Sequence, residues 1–240
     1  MTRERINLEP GYVLARRPFR DTSLLIEAFT AQHGRVGVVA RGVRGAKSAK
    51  SALLQPLRPL LLSWIESGEL GTLTGAEADG IAPVLAGERM FCGWYVNELL
   101  LNLLQRHDPH PQLFEYYAAT LQELESQPVE IPLRKFELRL LAETGYGLNL
   151  EGALEVDRQY AYDWQEGLRI SEPGPATYSG GSLIALREGE LSLPDDLRAA
   201  RRLLREALHR QLGGRELKTP KLLRELRASA AAGNEPKRSE

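Results

Sequence analysis

The spacing of apolar residues changes once along this 240-residue chain, and that change restricts the folds open to it. Up to about residue 80, short runs of β-branched and aliphatic residues alternate with turn residues, as strands and hairpins require. From Pro83 onward, apolar residues recur at the 3.6-residue period of amphipathic helices. Strands followed by helices predict an α+β fold that begins with a separate all-β part.

Five strands are predicted in the first part of the chain. Because proline removes a ladder donor and glycine permits a tight reversal, Pro18 and Gly34 are expected to break an antiparallel meander into three strands. Ser67-Gly68 is expected to be the turn of a later hairpin. Five short strands with a long, glycine-containing connection after the third favour an OB-fold barrel, and an SH3-like barrel fits the pattern nearly as well. The five predicted strands cover residues 12–17, 23–30, 34–40, 59–66 and 70–76.

The second part is predicted to be helical, with breaks at proline and glycine residues. A polar stretch over residues 149–179 is rich in turn residues and is expected to be an irregular insert with a short hairpin at most. Pro194 is expected to open a later helix that stops at Gly213-Gly214. The predicted domains are an OB-fold domain over 1–80, a helical domain over 81–228 with the insert at about 149–179, and a flexible tail over 229–240.

Charge is distributed unevenly along a chain whose net charge is −1. Residues 1–50 contain ten basic and four acidic residues, residues 197–227 contain ten and three, and residues 66–130 contain two and eleven. Most of the cations are arginines, whose planar guanidinium suits phosphate. Two basic segments around an acidic middle favour a polyanion as the ligand over solvated helix faces alone.

Two sets of cations are therefore candidates for nucleic-acid binding, one in the barrel and one on a helix. The candidates are Arg16, Arg17, Arg20, Arg35, Arg41, Arg44, Lys47, Lys50, Arg198, Arg201, Arg202 and Arg205. The basic loop over 41–50 is the part most expected to be mobile without DNA.

Enzymatic chemistry finds little support in the sequence. No phosphate-binding glycine loop and no GxSxG motif occurs, and four histidines on separate segments do not assemble a catalytic triad. The single cysteine, Cys92, excludes an intrachain disulfide and is expected to be a small buried hydrophobe. His107, Asp108 and His110 lie in a proline-bracketed loop without a further ligand, so neither a metal nor another cofactor is predicted.

The chain is expected to be a cytosolic protein. No apolar run approaches the roughly 20 residues that a membrane span needs, and the N-terminus has no apolar segment after its charges.

Three passages resemble the RecO family of bacterial DNA repair proteins. They are RRPFRDTSLLIEAFTAQHGRVGVVARGVR, LRKFELRLLAETGYGLNL and LRAARRLLREALHRQLGGRELKTPKLL. The resemblance implies an N-terminal OB-fold and a helical domain, non-enzymatic binding of single- and double-stranded DNA, and annealing of complementary strands. It also implies loading of recombinase onto strands coated by single-stranded-DNA-binding protein. The partners it implies are RecR and the acidic C-terminal tail of the coating protein.

Two further expectations follow from this resemblance. Many family members carry a four-cysteine zinc site after the GYG turn, whereas residues 148–179 contain no cysteine, so the chain is similar to the zinc-free branch. The family's pocket for the coating protein's tail would lie around the LRKFELRLL helix, with Arg134 as the carboxylate partner and Phe136 and Leu140 as its apolar wall. Phe136 and Leu140 fit equally well as core residues at i and i+4.

The alternative function is that of a protein-interaction adaptor. The basic faces of such an adaptor would bind acidic segments of other proteins, and DNA binding would be incidental. A salt titration of DNA binding separates the two.

Overall fold

A computed structural model describes residues 4–43, 49–66 and 68–233. The chain forms two compact units. One contains Met1–Pro109 and Glu216–Glu240, and the other contains His110–Arg215.

The first unit begins with a closed barrel of five strands in the order β1-β2-β3-β5-β4. All neighbouring strands are antiparallel except β3 and β5, which pair in parallel at Val38–Gly71 and Val39–Thr72. This arrangement is the OB-fold, so the alternative of an SH3-like barrel is not needed. The elements are β1 (Arg5–Phe19), β2 (Ser23–Thr30), β3 (Gly34–Ala40), α1 (Ala49–Leu53), β4 (Pro59–Ile65) and β5 (Gly71–Ala78).

Strand β1 is longer than predicted and passes through Pro18, where a break was expected. Its pairing with β4 ends at Tyr12, whereas its pairing with β2 continues to Phe19. At Pro18, β1 therefore pairs with β2 alone among the described strands. A proline, which has no N–H to donate, is tolerated in a strand when its nitrogen faces the side without a neighbouring strand. The chain reverses instead after Phe19, where Arg20 has a positive φ of 53°.

Alternate side chains of the strands fill the barrel. Val13, Ile26, Val36, Leu60 and Trp64 are each at most 1% exposed. Such complete burial of β-branched and aromatic side chains is what the alternating pattern of the sequence predicts.

Helix α2 (Glu88–Leu103) packs against β1 within this unit. Cys92 is buried in it, as expected for a structural cysteine, and the Asn97 side chain donates to the carbonyl oxygen of Leu14 at 2.9 Å. Trp94 recurs at helical spacing with the other apolar residues of this segment, but its side chain is 40% exposed. Gly93 lies on the buried face of α2, and a Cβ at this position would meet the Leu57 side chain at 2.7 Å.

The second unit is built on helices α3 (Pro111–Ser126) and α4 (Glu130–Glu143), which pack on each other. Leu113, Tyr117 and Leu121 form the buried stripe of α3, in agreement with the predicted face. Helix α4 is followed by Gly145 with a φ of 82°, the left-handed residue that the sequence predicts at its end.

The segment predicted as an irregular insert contains a small three-stranded sheet. Strands β6 (Gln159–Asp163), β7 (Gly167–Ile170) and β8 (Thr177–Ser179) lie in the order β7-β6-β8, so the hairpin is confirmed and a third strand is added. The third strand leads directly into α5 (Gly180–Glu188), whose first turn is capped by the Ser179 hydroxyl accepting from the Ser182 N–H. Helix α6 (Pro194–Gln211) then packs against α4 and α5.

Helix α7 (Lys218–Gly233) belongs to the first unit and packs on α2. The Glu98 carboxylate accepts hydrogen bonds from the backbone N–H groups of Lys218 at 2.7 Å and Thr219 at 2.8 Å, which caps the start of α7. Residues 229–233 of the predicted flexible tail are helical, and residues 234–240 lie outside the described residues.

Candidate nucleic-acid interface

Three of the candidate DNA-binding residues lie at the β1–β2 hairpin, and they are held differently. Arg16 is half-buried, and its Nη1 donates to the carbonyl oxygen of Ser51 in α1 at 2.8 Å. Arg17 is exposed and makes no ion pair within the described ranges. Arg20 is exposed at the turn, with its guanidinium carbon 5.4 Å from the centroid of the Phe19 ring. The hairpin thus displays two cations, while Arg16 fastens α1 to β1.

Arg35 lies in a half-buried ion cluster. Its Nε is 3.8 Å from Oε2 of Glu27, and its Nη1 donates to the carbonyl oxygen of Leu101. Arg106 pairs with the other carboxylate oxygen of Glu27. Burial lowers the pKa of Arg35 below its ordinary value, with Glu27 opposing this effect and Arg106 adding to it. The guanidinium is therefore committed to contacts inside its own unit.

Two cations of the basic loop lie at a small recess beside the barrel. Arg41 and Lys50 are exposed, and both line this recess together with Leu54 and Leu73. Arg44 and Lys47, the other two candidates from this loop, lie outside the described residues.

The candidate arginines of α6 are all exposed, but they are not equivalent. Arg198 pairs with Asp195 in the first turn of the helix, and Nη1 of Arg201 lies 3.5 Å from Oε1 of Glu130. Arg205 makes no hydrogen bond or ion pair among the described residues. The guanidinium N–H donors of Arg205 are consequently all available to a ligand.

Arg202 is tied to the small sheet. It donates to the carbonyl oxygens of Pro175 and Thr177, and its guanidinium carbon lies 4.1 Å from the centroid of the Tyr178 ring. Backbone contacts of this kind fix the helix against the sheet, so Arg202 is a structural residue as well as a surface charge.

A second aromatic contact on α6 was not singled out from the sequence. Arg210 lies over the Trp164 ring at 4.4 Å, and the Trp164 Nε1 donates to Oε1 of Glu206 at 3.0 Å. The Tyr162 ring packs edge-on against Trp164 at 4.9 Å. The only signals in the sequence are the scattered aromatics of 149–179 and the four-residue spacing of 202, 206 and 210, and neither identifies the partners.

The three residues predicted to bind the partner tail lie in the packed interior of the second unit. Phe136 and Leu140 are at most 1% exposed, and Phe136 contacts the Tyr117 ring edge-on at 6.4 Å. Arg134 is buried and pairs with the buried Glu137 at 2.8 Å. Phe136 and Leu140 are therefore core residues, which was the second possibility for them.

A cleft of about 310 Å³ lies beside these residues, between α3, α4 and the end of α5. Lys135, Arg139 and Arg187 supply its cations, which outnumber its two acidic residues. Tyr116 and Leu138 supply apolar surface, and the Arg139 guanidinium carbon is 4.9 Å from the centroid of the Tyr116 ring. A peptide that carries both a carboxylate and an apolar side chain fits such a lining.

The histidines of the proline-bracketed loop each face a glutamate. Nδ1 of His107 is 3.8 Å from Oε1 of Glu66, and Nδ1 of His110 is 3.8 Å from Oε2 of Glu143. Within residues 4–43, 49–66 and 68–233, no three side chains of His, Cys, Asp or Glu come together as a metal site requires. Among the helices of those same ranges, none has the length and apolar character of a membrane span.

Comparison with known proteins gives a consistent result over almost the full length. A family profile described as "Recombination protein O N terminal" matches residues 5–80, and one described as "Recombination protein O C terminal" matches residues 85–221. The chain is 45% identical over 233 residues to the "DNA repair protein RecO" of Nitrosococcus oceani, covering 93% of this chain and 95% of that protein. It is 40% identical to the protein of the same name from Aromatoleum aromaticum over 93% and 98%. The Coxiella burnetii protein of that name is 41% identical over 92% and 99%.

Proposed function

The chain belongs to the recombination protein O family of DNA repair proteins, and from this premise we propose that it is a non-enzymatic DNA-binding mediator of recombination. It binds single- and double-stranded DNA, anneals complementary strands and helps to load recombinase onto coated single strands. None of these steps makes or breaks a covalent bond. They depend on cations that screen the DNA phosphates and on contacts with partner proteins.

The observation that carries this proposal is the pair of arginine surfaces. Arg17, Arg20 and Arg41 are exposed on the barrel unit, and Arg205 is exposed on α6 of the second unit. Two DNA strands repel each other through their phosphates, so a protein with a cationic surface on each unit can hold both strands at lower cost. Neither surface needs to read base edges, which suits annealing of any sequence.

A strand-annealing assay tests this function. Charge reversal on the barrel (Arg17→Glu with Arg20→Glu) and charge reversal on α6 (Arg205→Glu) are each expected to slow annealing, because each removes one of the two surfaces. Their combination is expected to abolish it. If either reversal leaves both the annealing rate and the duplex affinity unchanged, the two-surface mechanism is wrong.

The cleft beside α4 supports a place for the coating protein's acidic C-terminal tail. Lys135, Arg139 and Arg187 would meet the tail's carboxylates, and Tyr116 and Leu138 would meet its apolar side chains. Arg134 is the predicted carboxylate partner, and its guanidinium pairs with Glu137 on the same helix, so a direct contact with the tail stays a prediction. RecR is the second proposed protein partner, and the protein is proposed to act in the cytoplasm at the nucleoid, without a membrane partner.

The same cleft favours a second candidate function, a protein adaptor for which DNA is incidental. The two functions differ in their response to salt. A DNA-binding protein is expected to bind single strands tightly at low salt, with log K falling by about 0.7 per phosphate contact for each tenfold rise in salt. Absence of any binding to single strands at low salt, with tail binding retained, would establish the adaptor.

A further inference from the structure

The cluster around Trp164 combines groups that phosphate screening alone does not use. Trp164 follows β6 in the turn of the β6–β7 hairpin, and its ring is partly exposed. The Arg210 guanidinium lies over that ring at 4.4 Å, and the Arg210 side chain is 51% exposed. The flat surfaces of an indole and a guanidinium are thus presented together at the outer face of α6.

We propose that Trp164, Tyr162 and Arg210 form a stacking platform for an unpaired nucleobase, and that Arg205, on the same helix, holds a phosphate elsewhere on the same strand. This inference rests on the proposed DNA-binding function and deepens it. The α6 surface then binds a single strand, and the group that it recognises is an unpaired base.

The platform is held in place before any ligand arrives. The Trp164 Nε1 donates to Glu206 at 3.0 Å, and Tyr162 packs edge-on against the indole at 4.9 Å. The Tyr162 hydroxyl in turn accepts from the Asn149 N–H at 2.9 Å. A ring fixed in this way loses little conformational entropy when a base stacks on it, or on the guanidinium that covers it.

The charges around the platform favour a phosphate beside it. Glu206 is engaged by the Trp164 indole and lies 3.6 Å from Arg210, so its charge is compensated. Arg205 precedes Glu206 on the helix and has no partner among the described residues. A strand whose base lies on the platform therefore finds an uncompensated cation on the same helix.

The two acidic residues of the hairpin turn do not oppose this arrangement. Arg169 pairs with Glu166 at 2.5 Å and lies 3.5 Å from Asp163. The Asp163 carboxylate also accepts from the backbone N–H groups of Gln165 at 2.8 Å and Glu166 at 2.9 Å. The backbone of the turn thus holds the Asp163 carboxylate, and Arg169 pairs with both acidic side chains.

Stacking predicts a preference that phosphate binding does not. In a duplex each base is already stacked on its neighbours, whereas a single strand can place one base on the platform. An abasic strand of the same length carries the same phosphates and no bases. The platform therefore distinguishes oligo(dT) from both an abasic oligonucleotide and a duplex.

Tryptophan fluorescence of the full chain tests the inference. Trp64 is 1% exposed and Trp94 is 40% exposed, so a Trp94→Phe background leaves Trp164 as the accessible indole. Oligo(dT) is expected to quench the emission of this protein, whereas the abasic oligonucleotide and the duplex are not. Adding Trp164→Phe is expected to remove the quenching. An oligo(rU) arm shows whether the platform also accepts RNA, in which case the assignment widens to unpaired bases in general.

Anisotropy of labelled oligonucleotides is the second measurement. Trp164→Ala is expected to weaken oligo(dT) binding by about 5- to 100-fold and to leave binding of the abasic strand unchanged. If oligo(dT) binds without quenching and Trp164→Ala binds it normally, the platform is wrong and the proposed function stands. If no oligonucleotide binds even at low salt, the proposed function itself fails.

Discussion

Nη2 of Arg134 lies 2.8 Å from Oε1 of Glu137 one turn further along α4, and both side chains are buried. Removing one partner of a buried pair leaves a charge without compensation, which typically costs about 3–5 kcal/mol. Arg134→Ala is therefore expected to lower the free energy of unfolding by about that amount in urea denaturation.

The double variant Arg134→Ala with Glu137→Ala is the matched control for this pair. It is expected to recover part of the lost stability, because no lone charge remains buried. A stable Arg134→Ala protein that fails to bind the coating protein's tail would instead make Arg134 a direct ligand.

The cleft on the exposed side of α4 is expected to bind the tail through Arg139 and Lys135. Replacing either with alanine is expected to weaken binding of a C-terminal tail peptide by about tenfold, since a charge-assisted hydrogen bond contributes about 1.5–3 kcal/mol. Fluorescence anisotropy with labelled peptide measures the effect. Annealing of uncoated strands is expected to stay unchanged, whereas annealing of coated strands falls.

Arg169→Ala is the control for the cleft variants, because Arg169 is an exposed arginine of the same unit whose described partners lie in the β6–β7 hairpin. It is expected to leave peptide binding intact. Equal losses in Arg169→Ala and Arg139→Ala would show that the tail responds to overall charge and not to the cleft.

Arg205 and Arg202 are expected to separate binding from stability. Arg205→Ala is expected to reduce the salt slope of single-strand binding by about 0.7, the value for one phosphate contact. Its free energy of unfolding, measured by urea denaturation, is expected to match that of the wild type within about 0.5 kcal/mol. Arg202→Ala is expected to lose about 1–2 kcal/mol of stability, because its bonds to Pro175 and Thr177 disappear. A loss of stability in Arg205→Ala with none in Arg202→Ala would contradict these two roles.

Alkaline pH is expected to destabilise the barrel through Tyr12. Burial raises the pKa of Tyr12 above its ordinary 10.0, and the charge of Asp79 raises it further. A raised folded-state pKa stabilises the fold fully below the unfolded pKa, and this contribution is lost as pH rises through the folded value. Urea midpoints measured from about pH 9 to 11 are expected to fall, and to fall less steeply in Tyr12→Phe. Tyr146→Phe, at an exposed tyrosine, is the control and is expected to keep the wild-type slope.

Several parts of the fold follow from the sequence alone because they depend on near neighbours. Alternating apolar residues predict the five strands, and the 3.6-residue period predicts α3 and α6 with the correct buried faces. The end of α4 at Gly145 follows from the need for a left-handed residue. Pro18 misled the prediction of β1, because the effect of a proline in a strand depends on whether a second strand lies beside it. The predicted domain boundary at residue 80 stays a prediction.

The sequence by itself determined the α+β class, a five-stranded barrel, the positions of α2, α3, α4 and α6 and the resemblance to a family, since each depends on local periodicity or on short motifs. Only the tertiary structure decided which arginines keep their donors. Arg106 reaches Glu27, and Thr219 reaches Glu98, across about eighty and about one hundred and twenty residues of chain. Such partners are set by how the packed elements meet, and a charge count treats Arg35, Arg134 and Arg205 alike. Burial commits the first two to the protein and leaves the third for a ligand.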